Sequence, residues 1–186
     1  MSDTDTELAL VTRLPLLARM RRDLLDRGAL RPTTVVAMYA AYGVHAATTA
    51  AALHARWLPL PLPQRAARLS GGTLTAVGAG LCVLGMRRFA GLGQVSGTQV
   101  GPLVTGGVYR YSRNPQYLGY VAALTGAAAV RRSGASLALA AAAGAIYAAW
   151  VPVEEEHLTR TLGESYRRYR RRTARWLAWP SAAGSD

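Results

Sequence analysis

A chain of 186 residues with one cysteine (Cys82), three scattered histidines (His45, His54, His157) and a formal charge of +12 carried by 22 arginines and no lysine excludes several classes at once. A lone cysteine closes no internal disulfide and the histidines have no metal-ligand spacing, so no metal is expected. The arginines sit at the ends of apolar runs and form no basic, aromatic groove, which argues against nucleic acid and for a polytopic, all-α membrane protein.

Residues 1–32 open with Asp3, Asp5 and Glu7, an acidic start unlike a secretory signal peptide. Leu10, Leu14, Leu17 and Leu24 then alternate with Arg13, Arg21, Arg22 and Arg27. This spacing predicts an interfacial amphipathic helix broken near Pro15.

Residues 33–90 contain the first pair of expected spans. The first runs from Val35 to Leu53 and carries His45, which suits either helix packing or a cavity. Arg56 and Trp57 mark the far interface, and Pro59, Pro61 and Pro63 impose an extended turn. The second runs from Leu69 to Met86, where Ala76 and Gly80 offer a small-xxx-small packing seam.

Residues 91–180 are expected to form the functional core, with 181–186 a disordered tail. A glycine-rich loop over 89–106 places Gln94, Ser96, Thr98 and Gln99 as one wall of a site. Its Gly91-x-Gly93 is no dinucleotide fingerprint, because no strand precedes it. The third apolar run, Tyr117 to Val130, is short for a crossing and is read either as a span with snorkelling Arg131 and Arg132 or as part of a re-entrant hairpin. The fourth, Ala135 to Val153, ends at Trp150 and Pro152. Four crossings put 17 arginines on one side and 5 on the other, which predicts both termini in the cytoplasm.

Two polar stretches interrupt this apolar pattern. In the first, Gly107 to Gly119, Asn114 reads as an N-cap and Pro115 as the first helical residue. The positive end of that helix, with Arg113 beside it, would attract a carboxylate, and Gly119 leaves room for a ligand against the backbone. Arg113 with Tyr109, Tyr111 and Tyr117 also fits a plain interfacial belt.

The second stretch begins at Glu154-Glu155-Glu156. Adjacent carboxylates repel, so one of Glu154 and Glu155 is expected to turn inward toward a partner: Arg113, an amine or a cationic cofactor. Glu156 with Arg160 and Glu164 with Arg168 are expected as i,i+4 pairs. Leu158, Leu162, Tyr166, Tyr169 and Trp176 fall on one face of a terminal interfacial helix.

The spacing G-x-Y-x-x-x-R-x-P-x-Y-x-G from Gly107 to Gly119, followed by Glu154, Glu155, Leu158, Gly163, Tyr166, Tyr169 and Arg175, resembles the integral-membrane methyltransferases. That family includes isoprenylcysteine carboxyl methyltransferase and the phospholipid N-methyltransferases. The resemblance covers about residues 95–180 and departs from the usual pattern at Asn114, where a histidine is customary, and at Leu162, where an aromatic is frequent.

The resemblance implies S-adenosylmethionine as cofactor, a lipophilic acceptor (carboxylate, hydroxyl or amine) entering from the bilayer, and chemistry at the cytoplasmic face. It implies cofactor contacts at Gly107, Tyr109, Arg113, Asn114, Pro115, Tyr117, Gly119, Glu154 and Glu155. Arg113 would hold the methionine carboxylate and Glu155 would serve as base for an amine or phenol acceptor. An NADPH-dependent sterol-type reductase and a non-catalytic membrane scaffold are the competing readings. Tyr120 stands where the reductases typically carry an acid.

Overall fold

The computed structural model describes residues 11–89 and 91–177. The expectations for Asp3, Asp5, Glu7 and Leu10 and for the tail 181–186 lie outside the described residues.

Six helices make the frame: α1 (Pro15–Arg27), α2 (Pro32–Ala55), α3 (Gln64–Met86), α4 (Pro115–Arg131), α5 (Gly134–Leu162) and α6 (Glu164–Arg172). Single helical turns at Leu92–Val95 and Gly107–Arg110 interrupt the connection between α3 and α4, and the described residues contain no β-strand. Proline at the first position starts α1, α2 and α4, where its missing N–H removes no helical bond. Gly28 ends α1 in the left-handed region (φ 76°), returning its N–H to the Leu24 carbonyl.

Two of the four expected spans, α3 and α5, are long and apolar enough to cross a membrane. α4 has 17 residues, and α2, although 24 residues long, carries Thr33, Thr34, His45, Thr48, Thr49 and His54. Large apolar side chains cover the outward faces of α2 and α3, Val36, Val44, Leu69 and Val77 each being more than 60% exposed. A solvent of lipid explains such faces; water does not.

The tightest contact in the fold is α3 against α4, backbone on backbone. Gly71, Gly78 and Gly85 recur every seven residues along α3 and meet Gly126, Gly119 and Gln116. A Cβ on Gly78 would sit 2.4 Å from the Ala123 nitrogen, and one on Gly119 2.5 Å from that of Cys82. The packing seam is therefore this glycine row and not Ala76 with Gly80, both of which are exposed.

The α4–α5 hairpin ties off the far end of α2. The Ser133 hydroxyl donates to the Ala52 and Trp57 carbonyls (3.0 and 3.1 Å), and Arg131 Nε donates to the Leu53 carbonyl at 2.9 Å. Arg131 thus caps a neighbouring helix, and α4 runs unbroken from Pro115 to Arg131.

At the near end, buried Asp23 of α1 accepts from the Thr34 hydroxyl (2.5 Å) and the Arg31 backbone N–H (3.2 Å) and pairs with the Arg31 guanidinium (3.1 Å). Burial raises its pKa, but the Thr34 and Arg31 hydrogen bonds and the arginine charges outweigh that and hold it below the ordinary carboxylate value. Val11, Leu17, Met20 and Leu24 close this end against Trp150 and Val153 of α5.

α5 departs from the sequence reading. It passes straight through Pro152 for another ten residues instead of ending there. Proline costs one helical hydrogen bond, which the packing of Ala149, Trp150, Val151 and Val153 outweighs. Gly163 (φ 56°, ψ −128°) then breaks the rod, so Leu158 and Leu162 lie on α5 while Tyr166 and Tyr169 lie on α6. The four do not line one membrane-facing stripe. They converge with Phe89 and Val108 on buried Tyr109.

Candidate active site

The segment before α4 is shaped by Gly107 and Tyr109. Gly107 has φ 64°, the left-handed region that favours glycine, and the movable end of the Arg88 side chain lies over it. The following turn sends Tyr109 inward, 4% exposed. Its hydroxyl donates to Gln116 Oε1 (3.0 Å) and its carbonyl accepts from the Tyr169 hydroxyl (2.8 Å). Burial pushes the Tyr109 and Tyr169 phenols well up and that of Tyr166 to about 12.

Arg113 and Glu155 come together as one of the expected pairings. Arg113 Nη2 lies 2.6 Å from Glu155 Oε1 and Nε 3.0 Å from the same oxygen. Arg113 Nη1 donates to the Arg170 carbonyl (3.2 Å) and to that of Thr173. Arg175 reaches Glu155 from the other side, Nη2 to Oε2 at 3.1 Å. The backbone joins in: Arg113 N–H donates to the Ala174 carbonyl (2.9 Å), and Asn114 Nδ2 and Ser112 Oγ donate to the Arg175 carbonyl (3.0 and 3.4 Å). Residues 170–175 are strapped across the start of α4.

These contacts change several expected roles. Four of the five guanidinium donors of Arg113 are taken up inside the protein, so it acts as a strut and not as an open carboxylate receptor. Glu155 lies between two guanidinium groups, Arg113 on one oxygen and Arg175 on the other. Asn114 precedes the helix as expected, yet its side chain makes no cap bond and holds the strap instead. Pro115 is buried at the helix start. Gly119 faces Cys82 and Gly78, so its missing side chain serves helix packing and leaves no space for a ligand.

Glu154 is turned inward as well, away from its neighbour. It accepts the Tyr117 hydroxyl at 2.8 Å and forms no ion pair among the described residues. The Tyr117 ring stacks on that of Tyr147, centroids 4.3 Å apart and planes 15° from parallel. The expectation of one inward acid becomes two, one neutralised by arginines and one held by a phenol.

The loop residues are occupied locally. Ser96 and Thr98 donate to the Gly93 carbonyl and Gln94 donates to that of Pro102, while the Leu30 N–H anchors the loop through the Gly97 carbonyl. Glu156 pairs with Arg160 as expected. Glu164, at the first position of α6, pairs with Arg167 and Arg171 instead of Arg168.

Beside the strap lies a cleft of about 440 Å³ lined by Pro152, Glu155, Glu156, Thr159, Arg160, Arg170 and Arg175. Of the expected cofactor contacts only Glu155 borders it. Arg170 escaped the sequence reading because it sits in a run of arginines that resembles a solvated face; the carbonyl bond of Arg113 at that position is a contact 57 residues away in sequence.

No curated protein and no solved structure matches the chain. The family model for phospholipid methyltransferase matches residues 66–165, from the start of α3 through α5 and onto the first turn of α6. That match takes in the glycine seam, the Arg113 turn and the paired acids together, and by it the chain belongs to the phospholipid methyltransferase family.

Proposed function

We propose that the chain transfers a methyl group from S-adenosylmethionine to an amine of a membrane phospholipid at the cytoplasmic face. The observation that carries the acceptor class is Glu154, an inward carboxylate with a phenol partner and no ion pair among the described residues. Such a group repels a carboxylate acceptor and attracts an ammonium headgroup. An amine reacts only after losing its proton, and Glu154 is placed to take it. An isoprenylcysteine carboxylate would need no base and would meet the wrong charge.

The cofactor fits the cleft by donor set. Arg170, with no ion pair among the described residues, offers a cation for an amino-acid carboxylate, and the exposed Glu156–Arg160 pair can open to take an ammonium group or ribose hydroxyls. The volume lies within the range of about 300–1,000 Å³ typical of small-molecule sites. When bound, the cofactor supplies an electrophilic methyl on a sulfonium. The protein's own part is positioning: Tyr117 fixes Glu154, Tyr147 fixes Tyr117 by stacking, and the Arg113–Glu155–Arg175 set holds the strap that forms one side of the cleft.

In this reading α2, α3, α4 and α5 all cross the bilayer with both termini and the strap in the cytoplasm, and the arginine bias supports that orientation. Family membership supports methyl transfer over NADPH-dependent reduction or a scaffold role.

The test is calorimetric titration of the detergent-purified protein with S-adenosylhomocysteine, beside a transfer assay on phosphatidylethanolamine vesicles. Wild type binds and transfers; Glu154→Gln binds with unchanged affinity and transfers poorly. A folded wild-type sample that fails to bind S-adenosylhomocysteine overturns the reading.

A further inference from the structure

Three buried side-chain polar atoms among the described residues have no hydrogen-bond partner, and two of them belong together. They are His45 Nε2 and Thr49 Oγ1. The two residues lie one turn apart on α2 and so share a face. Thr49 is 4% exposed. Its neighbour Thr48 turns its hydroxyl back onto the Val44 carbonyl at 2.8 Å, the usual resort of a helical threonine in an apolar setting, while that of Thr49 makes no such bond.

An aromatic wall leads from this pair to the acid of the site. The His45 ring lies 6.1 Å from Tyr120, and Tyr120 meets Tyr147 edge-on at 6.1 Å. Tyr147 stacks on Tyr117, which bonds Glu154. α2 is fastened at both ends, by Val35 and Met38 to the core around Trp150 and by its terminal carbonyls to Ser133 and Arg131. Between these fastenings Tyr39 and Tyr42 stand 48% and 39% exposed on the flank.

We propose that His45 and Thr49 form a seat for an ester carbonyl of a diacyl phospholipid acceptor. The inference rests on the phospholipid amine reading above and deepens it. At this depth water is scarce, so a partner for two orphan groups arrives on a lipid. Imidazole N–H and hydroxyl both donate, and the ester carbonyl is the strongest acceptor that a phospholipid carries below its phosphate. Tyr117, which bonds Glu154, and Tyr120, which faces His45, lie three residues apart on α4, about 4.5 Å along its axis, and Thr49 lies a further turn along α2. The seat thus lies deeper along the helices than the acid, on the side where the esters of a lipid follow its headgroup amine.

The experiment compares binding of dioleoyl phosphatidylethanolamine and of its diether analogue, which lacks both carbonyls, to the full-length detergent-purified protein, with S-adenosylhomocysteine titrated in parallel. Wild type prefers the diester by about tenfold, the effect of losing one or two buried hydrogen bonds. Thr49→Val and His45→Phe each weaken that preference and together erase it, by weakening the diester only, while Thr49→Ser keeps it. S-adenosylhomocysteine affinity is unchanged in all of them. Equal binding of the two lipids by wild type, a preference that survives the double variant, or no binding of either lipid by protein that still binds S-adenosylhomocysteine overturns the seat. Loss of S-adenosylhomocysteine binding in wild type instead overturns the methyltransferase reading, and the lipid comparison still decides the seat.

Discussion

Arg113 and Glu155 lie 42 residues apart in the chain and 2.6 Å apart in space, each side chain less than a tenth exposed. The pair joins the turn before α4 to the last turns of α5, and Arg175 closes it from the terminal strap. Removing Arg113 leaves the buried Glu155 to Arg175 alone and strips the bonds to the Arg170 and Thr173 carbonyls. Arg113→Met is expected to destabilise the fold by about 1.5–3 kcal/mol, the scale of lost hydrogen bonds to a charged group, and to free residues 170–175 for proteolysis before the helices melt. Thermal unfolding with limited trypsin digestion reads both effects. A variant as stable as wild type, with an uncut strap, would show that the ion pair contributes little.

The glycine seam makes a sharper claim about one atom. Gly78→Ala sets a methyl group 2.4 Å from the Ala123 nitrogen and 2.7 Å from the Gly119 carbonyl, against backbone that has nowhere to move. Gly80→Ala adds the same methyl where nothing lies within 4 Å. The first is expected to lower the yield of folded protein severely and the second to leave it unchanged or raise it slightly through helix propensity. Size-exclusion profiles of the two variants in detergent decide this, and similar profiles would place the α3–α4 contact elsewhere.

Glu154 and Tyr117 separate chemistry from binding. If Glu154 takes the acceptor's proton, Glu154→Gln lowers transfer by about 10²–10⁴. Tyr117→Phe keeps the stacked ring, loses the 2.8 Å bond and lowers transfer less. Both variants are expected to bind S-adenosylhomocysteine as wild type does. The kinetic check is kcat on phosphatidylethanolamine vesicles, and an unchanged kcat in Glu154→Gln assigns the proton to another group.

The tyrosine cluster around Tyr109 predicts an alkaline limit. Burial raises the folded pKa of Tyr166 to about 12 and moves Tyr109 and Tyr169 the same way, from an ordinary value of 10.0. A phenol whose pKa rises on folding contributes stability that is complete below its unfolded pKa and is lost as pH climbs through the folded one. Stability should therefore hold to about pH 10 and fall between about 10 and 12. Tyr166→Phe should shallow that fall. Circular dichroism melts across this range give the slope, and an identical slope in the variant would remove Tyr166 as a cause.

The sequence by itself determined where helices start and what family pattern they carry. Pro115 at a first helical position and the break near Pro15 act through their own backbone neighbourhood, so they are readable without a partner. The same holds for the order of the Arg113 turn and the acid pair, which is a linear pattern. Only the tertiary structure decided which partner each polar group meets. Glu154 and Glu155 look alike in sequence. One meets a phenol 37 residues away and the other meets two guanidinium groups 42 and 20 residues away, a difference that no local pattern carries. Gly119 went to a helix seam and Pro152 was carried inside α5 for the same reason: packing between distant segments outweighed the local preference of a single residue.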